Sequence, residues 1–186
     1  MTPSQIPNAI TIVRMVVAFP LLWLLLTDRF QPAFWLAILA GTSDVVDGWL
    51  AKRYSWQSVL GGILDPIADK LLLSVCFVGL WWGGHLPTWL MLIVLLRDLV
   101  VGLGAAAWWR LNGSIDPSPT GISKLTTLLQ LLLVAMVLGH LAGLDIAPGL
   151  VRPLLLACAG VTLVSGVDYV LVYSRRAMRS TKRGKQ

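Results

Sequence analysis

Apolar residues run through this chain in stretches of about twenty, each closed by a short polar or turn-forming break. The stretches predict helices at 6–27, 31–53, 60–83, 87–109, 120–143 and 149–174. At about 1.5 Å per residue, each is long enough to cross roughly 30 Å of hydrocarbon. The breaks fall at Asp28-Arg29, Tyr54-Ser55, Gly83-Gly84-His85, Asn112 to Pro119 and Asp145 to Pro148. Connections this short make neighbouring helices antiparallel. The expected fold is therefore all-α, an integral membrane bundle of six transmembrane helices. One set of connections carries Lys52, Arg53, Arg110 and the C-terminal cluster, and the other only Arg29 and Arg152. The positive-inside rule then predicts that both termini face the cytoplasm. Tryptophans 49, 56, 108 and 109 lie near the predicted cytoplasmic ends, and 23, 35, 81, 82 and 89 near the opposite ends, as an interfacial belt requires.

Composition agrees with a lipid surrounding. Of 186 residues, 56% are hydrophobic and 13% charged, against roughly 25% charged in a soluble domain. The net charge of +6 is concentrated in Arg175, Arg176, Arg179, Lys182, Arg183 and Lys185. This divides the chain into a membrane domain, 1–174, and a basic cytoplasmic tail, 175–186, drawn to anionic headgroups. No soluble domain accompanies the tail, which argues against nucleic acid as its partner. Cys76 and Cys158 are isolated in apolar segments and read as core filler. The N-terminus lacks the charged start and small-residue cleavage site of a signal peptide, and Arg14 interrupts its first apolar run.

The acidic residues change the picture. All nine are aspartates, and Asp44, Asp47, Asp65 and Asp69 fall within apolar surroundings. On a helix, positions 44, 47, 48 and 51 share one face, with two carboxylates beside Gly48 and Ala51. Positions 61, 65 and 69 share a face of the next helix, with Gly61 followed by two more carboxylates. A short loop lets the two faces converge. One aspartate at the centre of a spanning helix costs roughly 2.5–3.5 kcal/mol, so four unpaired ones would cost on the order of 10 kcal/mol. Lys52, Arg53 and Lys70 offset part of this, and a divalent cation would relieve the mutual repulsion directly. An all-oxygen set suits Mg²⁺, Mn²⁺ or Ca²⁺ and not zinc. Gly48 and Ala51 fit close helix packing and equally leave room for a ligand against the backbone, with Lys52 beside it for an anion.

Taken in order, Asp44, Asp47, Gly48, Ala51, Lys52, Gly61, Asp65 and Asp69 keep every spacing of D-x2-D-G-x2-A-R-x8-G-x3-D-x3-D. In this the chain resembles the CDP-alcohol phosphatidyltransferase family, with Lys52 where that family usually has arginine. The resemblance implies six spans, a homodimer and a two-metal site of Mg²⁺ or Mn²⁺. Asp44, Asp47 and Asp65 would be the principal metal ligands. Asp69 would contribute to that set and act as general base, and Gly48, Ala51, Lys52 and Gly61 would line the CDP pocket. The implied reaction is attack by an acceptor hydroxyl on the phosphorus that carries diacylglycerol in CDP-diacylglycerol, with CMP leaving. The expected location is a bacterial inner membrane, with the site on the cytoplasmic side.

Polar residues elsewhere in the spans mark the acceptor. Arg14 and Lys124 read as phosphate-binding, having no acidic partner near in sequence, and Arg97-Asp98 reads equally as acceptor site or structural pair. Asp168 is a further available partner for these bases, and His85 and His140 read as loop or interface residues on the far side. The stretch Pro119 to Thr127, with Arg97-Asp98, looks most like the cardiolipin-forming branch, whose acceptor is phosphatidylglycerol. The branch that uses glycerol 3-phosphate usually has Arg-Glu at the first place and a second lysine where Thr126 stands, which suits a dianionic phosphate. Two other classes compete with an enzyme. An ion transporter also uses intramembrane aspartates, but spreads them along a pathway. A scaffold has no need of four buried carboxylates.

Overall fold

The computed structural model describes residues 5–53, 59–112 and 121–183, with side-chain surroundings at 11–43, 67–106, 110, 121–147 and 149–171. These residues form α1 (Gln5–Leu26), α2 (Phe30–Arg53), α3 (Val59–Trp82), α4 (Thr88–Asn112), α5 (Gly121–Leu141) and α6 (Pro148–Arg183), with no strand among them. Most boundaries fall within three residues of those expected. The exception is α6, which continues through the basic cluster to Arg183. No glycine or proline lies between Val167 and Arg183 to stop it.

Helices α1, α3 and α5 end in the same way. After α3, the Gly84 N–H donates to the Trp81 carbonyl and the His85 N–H to the Leu80 carbonyl, with Gly84 at φ 76°. Gly143 at φ 92° ends α5 likewise. In this closure a left-handed residue satisfies carbonyls that the helix leaves open. Asp28 takes the same place after α1, at φ 55°, a conformation that aspartate tolerates better than most side chains.

Many large apolar side chains face outward, while several polar ones, Thr11, Arg14, Arg97, Gln130 and Ser165 among them, are buried. On α1, Thr11, Arg14, Ala18, Leu21 and Leu25 are buried, at alternating steps of three and four. Its other faces expose Val13 at 60% and Phe19 at 72%. Water would penalise this arrangement at about 25 cal/mol per Å² of apolar surface; lipid does not. Among the described residues, three stretches, Thr88–Ala106, Gly121–Leu141 and Gly149–Leu171, are long and apolar enough to cross a membrane, and Thr11–Leu26 is the described apolar part of α1.

The chain divides into two compact units, Met1–Pro87 with Val134–Pro148, and Thr88–Leu133 with Gly149–Gln186. In the first, α1 packs on both α2 and α3. Its core is built from Leu21, Leu25, Phe77, Leu80 and the free thiol Cys76. Arg14 meets Asp69 and Leu25 meets Gly79. Both numbers rise together, so α1 and α3 run parallel, as two antiparallel connections in succession require. His85 lies in the turn after α3, edge-on to Phe30 at 5.0 Å.

The second unit is held by polar contacts between helices. Tyr169 donates to the Val101 carbonyl at 3.0 Å, and its ring fills the space that Gly104 leaves open. Gln130 Nε2 donates to Thr162 Oγ1 at 3.4 Å, both side chains fully buried. Such bonds supply helix association that lipid, being as apolar as leucine, does not drive. Cys158 is the second buried free thiol.

Close approach at Gly79 gives a direct test. A Cβ there would stand 2.6 Å from Leu25 Cδ1 and 2.7 Å from Leu25 Cβ. The latter lies too near the α1 backbone to swing aside. Gly79→Ala should destabilise the protein by about 1–3 kcal/mol, read as a lower unfolding midpoint in detergent. Gly102→Ala, with nothing within 4 Å of its Cβ, should hold or raise that midpoint.

Candidate functional site

The backbone is helical through all eight positions of the carboxylate motif. Asp44, Asp47, Gly48, Ala51 and Lys52 lie in the last turns of α2, and Gly61, Asp65 and Asp69 in the first turns of α3. The face sharing expected from their spacing therefore stands on continuous helices. The side-chain surroundings of Asp44, Asp47, Gly48, Ala51, Lys52, Gly61 and Asp65 lie outside those described. Asp69 is the motif carboxylate whose contacts are described.

Arg14 Nη1 donates to Asp69 Oδ1 at 2.8 Å, from a side chain 3% exposed to one 46% exposed. The cation is held inside the unit and the carboxylate opens outward. A guanidinium so placed is stable only with its counter-charge, because desolvation costs an unpaired ion several kcal/mol. It also fixes one carboxylate oxygen in direction, as a charge-assisted bond does. Sequence proximity offers Arg14 no partner; the parallel packing of α1 on α3 supplies one 55 residues away.

Arg14 also lines a cleft of about 130 Å³ with Val13, Val17, Leu36, Leu39, Ala40 and Ser43. The walls are α1 and α2, and apart from Arg14 and Ser43 they are apolar. Ser43 is the residue before Asp44, so the cleft runs to the edge of the motif.

The second unit holds another cationic centre. Arg97 Nη1 donates to Asp98 Oδ1 at 2.7 Å, and Nη2 to Ser123 Oγ at 2.6 Å and Ser165 Oγ at 2.8 Å. The Arg97 and Asp98 side chains are 4% and 9% exposed. One guanidinium thus ties α4 to the first turn of α5 and the middle of α6. Lys124, next to Ser123, is exposed. Both readings of Arg97-Asp98 persist, as the two form an ion pair beside the lysine expected to bind phosphate. On α6 it is Ser165 that meets Arg97. Thr162, Ser165 and Tyr169, spaced by three and four in an apolar run, are the signal that could have disclosed Ser165 as an inward-facing residue.

Among the described residues no group of three or more His, Cys, Asp or Glu side chains gathers as metal ligands. Three of the four carboxylates expected to hold metal stand outside those side chains. The chemistry of the set fits hard divalent ions, since all four side chains are carboxylates and offer oxygen alone.

Comparison with known proteins bears on this arrangement. The family model for CDP-alcohol phosphatidyltransferase matches residues 4–167. A cardiolipin synthase (CMP-forming) of Rattus norvegicus is 29% identical over 97% of this chain and 65% of its own length. A CDP-diacylglycerol–glycerol-3-phosphate 3-phosphatidyltransferase 1, chloroplastic, of Oryza sativa subsp. japonica is 31% identical over 91% of this chain and 57% of its own. A cardiolipin synthase (CMP-forming) of Streptomyces coelicolor is 37% identical over 66% of this chain and 59% of its own. The chain thus spans roughly three fifths of the length of these curated relatives. With the match running through both motif helices and on into α6, this chain belongs to the CDP-alcohol phosphatidyltransferase family.

Proposed function

We propose that the protein transfers a phosphatidyl group from CDP-diacylglycerol to a glycerol-type alcohol and releases CMP, with phosphatidylglycerol as the acceptor. The observation that carries the reading is the eight-position motif on consecutive helices, with its last carboxylate held by Arg14. Gly48, Ala51, Lys52 and Gly61 form the CDP pocket. The apolar cleft between α1 and α2 suits an acyl chain of the donor, with Arg14 at its polar end. Lys124 binds the acceptor phosphate, and Arg97 belongs to the same acceptor side.

In the reaction, the acceptor hydroxyl oxygen bonds to the phosphorus that bears diacylglycerol. The bond from that phosphorus to the oxygen bridging it to CMP breaks, CMP keeps that oxygen, and the hydroxyl proton passes to Asp69. Arg14 keeps the Asp69 carboxylate turned toward the acceptor, and Lys52 faces the diphosphate charge. Asp44, Asp47, Asp65 and Asp69 would hold Mg²⁺ or Mn²⁺ in a two-metal site, which when bound supplies charge stabilisation to the phosphoryl oxygens. The protein as a whole is then a six-span bundle with both termini and the site in the cytoplasm, a homodimer in a bacterial inner membrane.

The competing acceptor is glycerol 3-phosphate. It is favoured by the activity for which the rice relative is named and opposed by Thr126, which has no charge to offer a dianion. Thr126 is fully buried and donates to the Ile122 carbonyl at 2.9 Å.

Purified protein in detergent should form cardiolipin and CMP from CDP-diacylglycerol and phosphatidylglycerol, and release no CMP with glycerol 3-phosphate alone. Product from glycerol 3-phosphate alone would move the acceptor to the second branch. Chelation with EDTA should abolish CMP release, and added Mg²⁺ or Mn²⁺ should restore it; turnover indifferent to chelation would remove the metal site. Asp69→Asn should lower kcat by at least about 100-fold, the usual share of a general base, while CDP-diacylglycerol still binds. The amide oxygen can still accept from Arg14, so the unfolding midpoint of Asp69→Asn should fall less than that of Asp69→Ala.

A further inference from the structure

We propose that Arg97 is a positioning residue, which sets the place of the acceptor-binding Lys124 by clamping the first turn of α5, and that Ser165 completes the clamp. This rests on the acceptor reading above and assigns the residues within it. Two properties of Arg97 separate it from a phosphate ligand. Its charge is balanced at 2.7 Å by Asp98, within a pair only 4% and 9% exposed, so a nearby anion meets a dipole and not a free cation. Three of its five donors are also committed, since both Nη2 hydrogens go to serine hydroxyls and one Nη1 hydrogen to Asp98. Nε is buried without an acceptor, on a part of the group that solvent does not reach.

Those commitments converge on one segment. Ser123 is fixed through its hydroxyl by Arg97, and its carbonyl accepts from Thr127 Oγ1 at 3.3 Å. One turn on, Thr126 binds the Ile122 carbonyl at 2.9 Å and reaches the α6 carbonyl of Val161 at 3.4 Å. The first turn of α5 is therefore held from α4 through Arg97 and from α6 through Val161, and Ser165 fixes the guanidinium that does the first. Lys124 leaves that turn exposed, the one cation in it. A planar guanidinium can address three oxygens on three helices together; a lysine ammonium on a shorter stem presents a point charge without that fork.

Steady-state kinetics on the full-length chain in detergent test this, with phosphatidylglycerol and CDP-diacylglycerol varied separately. Ser165→Ala and Ser123→Ala should each raise the acceptor KM about 3- to 10-fold, the effect of one lost hydrogen bond. The donor KM and kcat should stay within about twofold. Ser165→Thr, which keeps the hydroxyl, should restore the acceptor KM. In a Lys124→Ala background, Ser165→Ala should raise it no further, because the residue acts through Lys124. Additive effects in that background, equal rises in donor and acceptor KM, or an Arg97→Lys variant with unchanged acceptor KM would each overturn the assignment. A Lys124→Ala variant with unchanged acceptor KM would instead remove the acceptor site on which it rests.

Discussion

A helix whose outward face meets hydrocarbon has only the interior in which to keep a charge, and that constraint organises this protein. Val13, Val16 and Phe19 of α1 face outward while Thr11 and Arg14 face in. On α4, Leu96 and Leu99 flank the buried Arg97-Asp98 pair from outside. Each buried cation must then be met by oxygen from another helix or from its neighbour, because no water competes for the task. The polar contacts that hold each unit together are also the contacts that place its functional side chains. Stability and site geometry are in this sense one set of interactions.

The two cations answer the constraint differently. Arg14 is balanced by a carboxylate that is itself half open, so the pair lies at a boundary and its acidic partner remains available to chemistry. Arg97 is balanced by its own chain neighbour, whose side chain is 9% exposed, and by two hydroxyls, that of Ser165 fully buried, and serves as a joint. Equal charge and near-equal burial thus support different roles, and the difference lies in the exposure of the partner.

Much of this was legible in the sequence because both signals were local. Helix positions followed from apolar runs and their glycine, proline and aspartate breaks. The carboxylate motif followed from spacings within 26 residues on two consecutive helices. Partners distant in sequence were not legible. Nothing near Arg14 announces Asp69, and Ser165 is one hydroxyl in a long apolar stretch, inward-facing only once the packing of α6 is fixed. Helix α6 extends to Arg183 and not to the expected end at 174, because charge does not by itself end a helix. In fact arginine and lysine are good helix formers and suit the last turns of a helix. The basic cluster is thus a continuation of the span as far as Arg183.

Two contacts hold α1 against α3, one at Arg14–Asp69 and one at Leu25–Gly79, about 15 Å apart along the helices. Together they act like the two marks of a vernier. A slip by one helical turn, about 5.4 Å, toward the start of α3 would bring Leu25 against Val75 and Cys76, and a slip either way would carry the guanidinium past its carboxylate. Either mark alone would tolerate a small tilt; both together permit one alignment. The depth at which α1 presents its cation to the motif is therefore set partly at its far end, by the absence of a single methyl group.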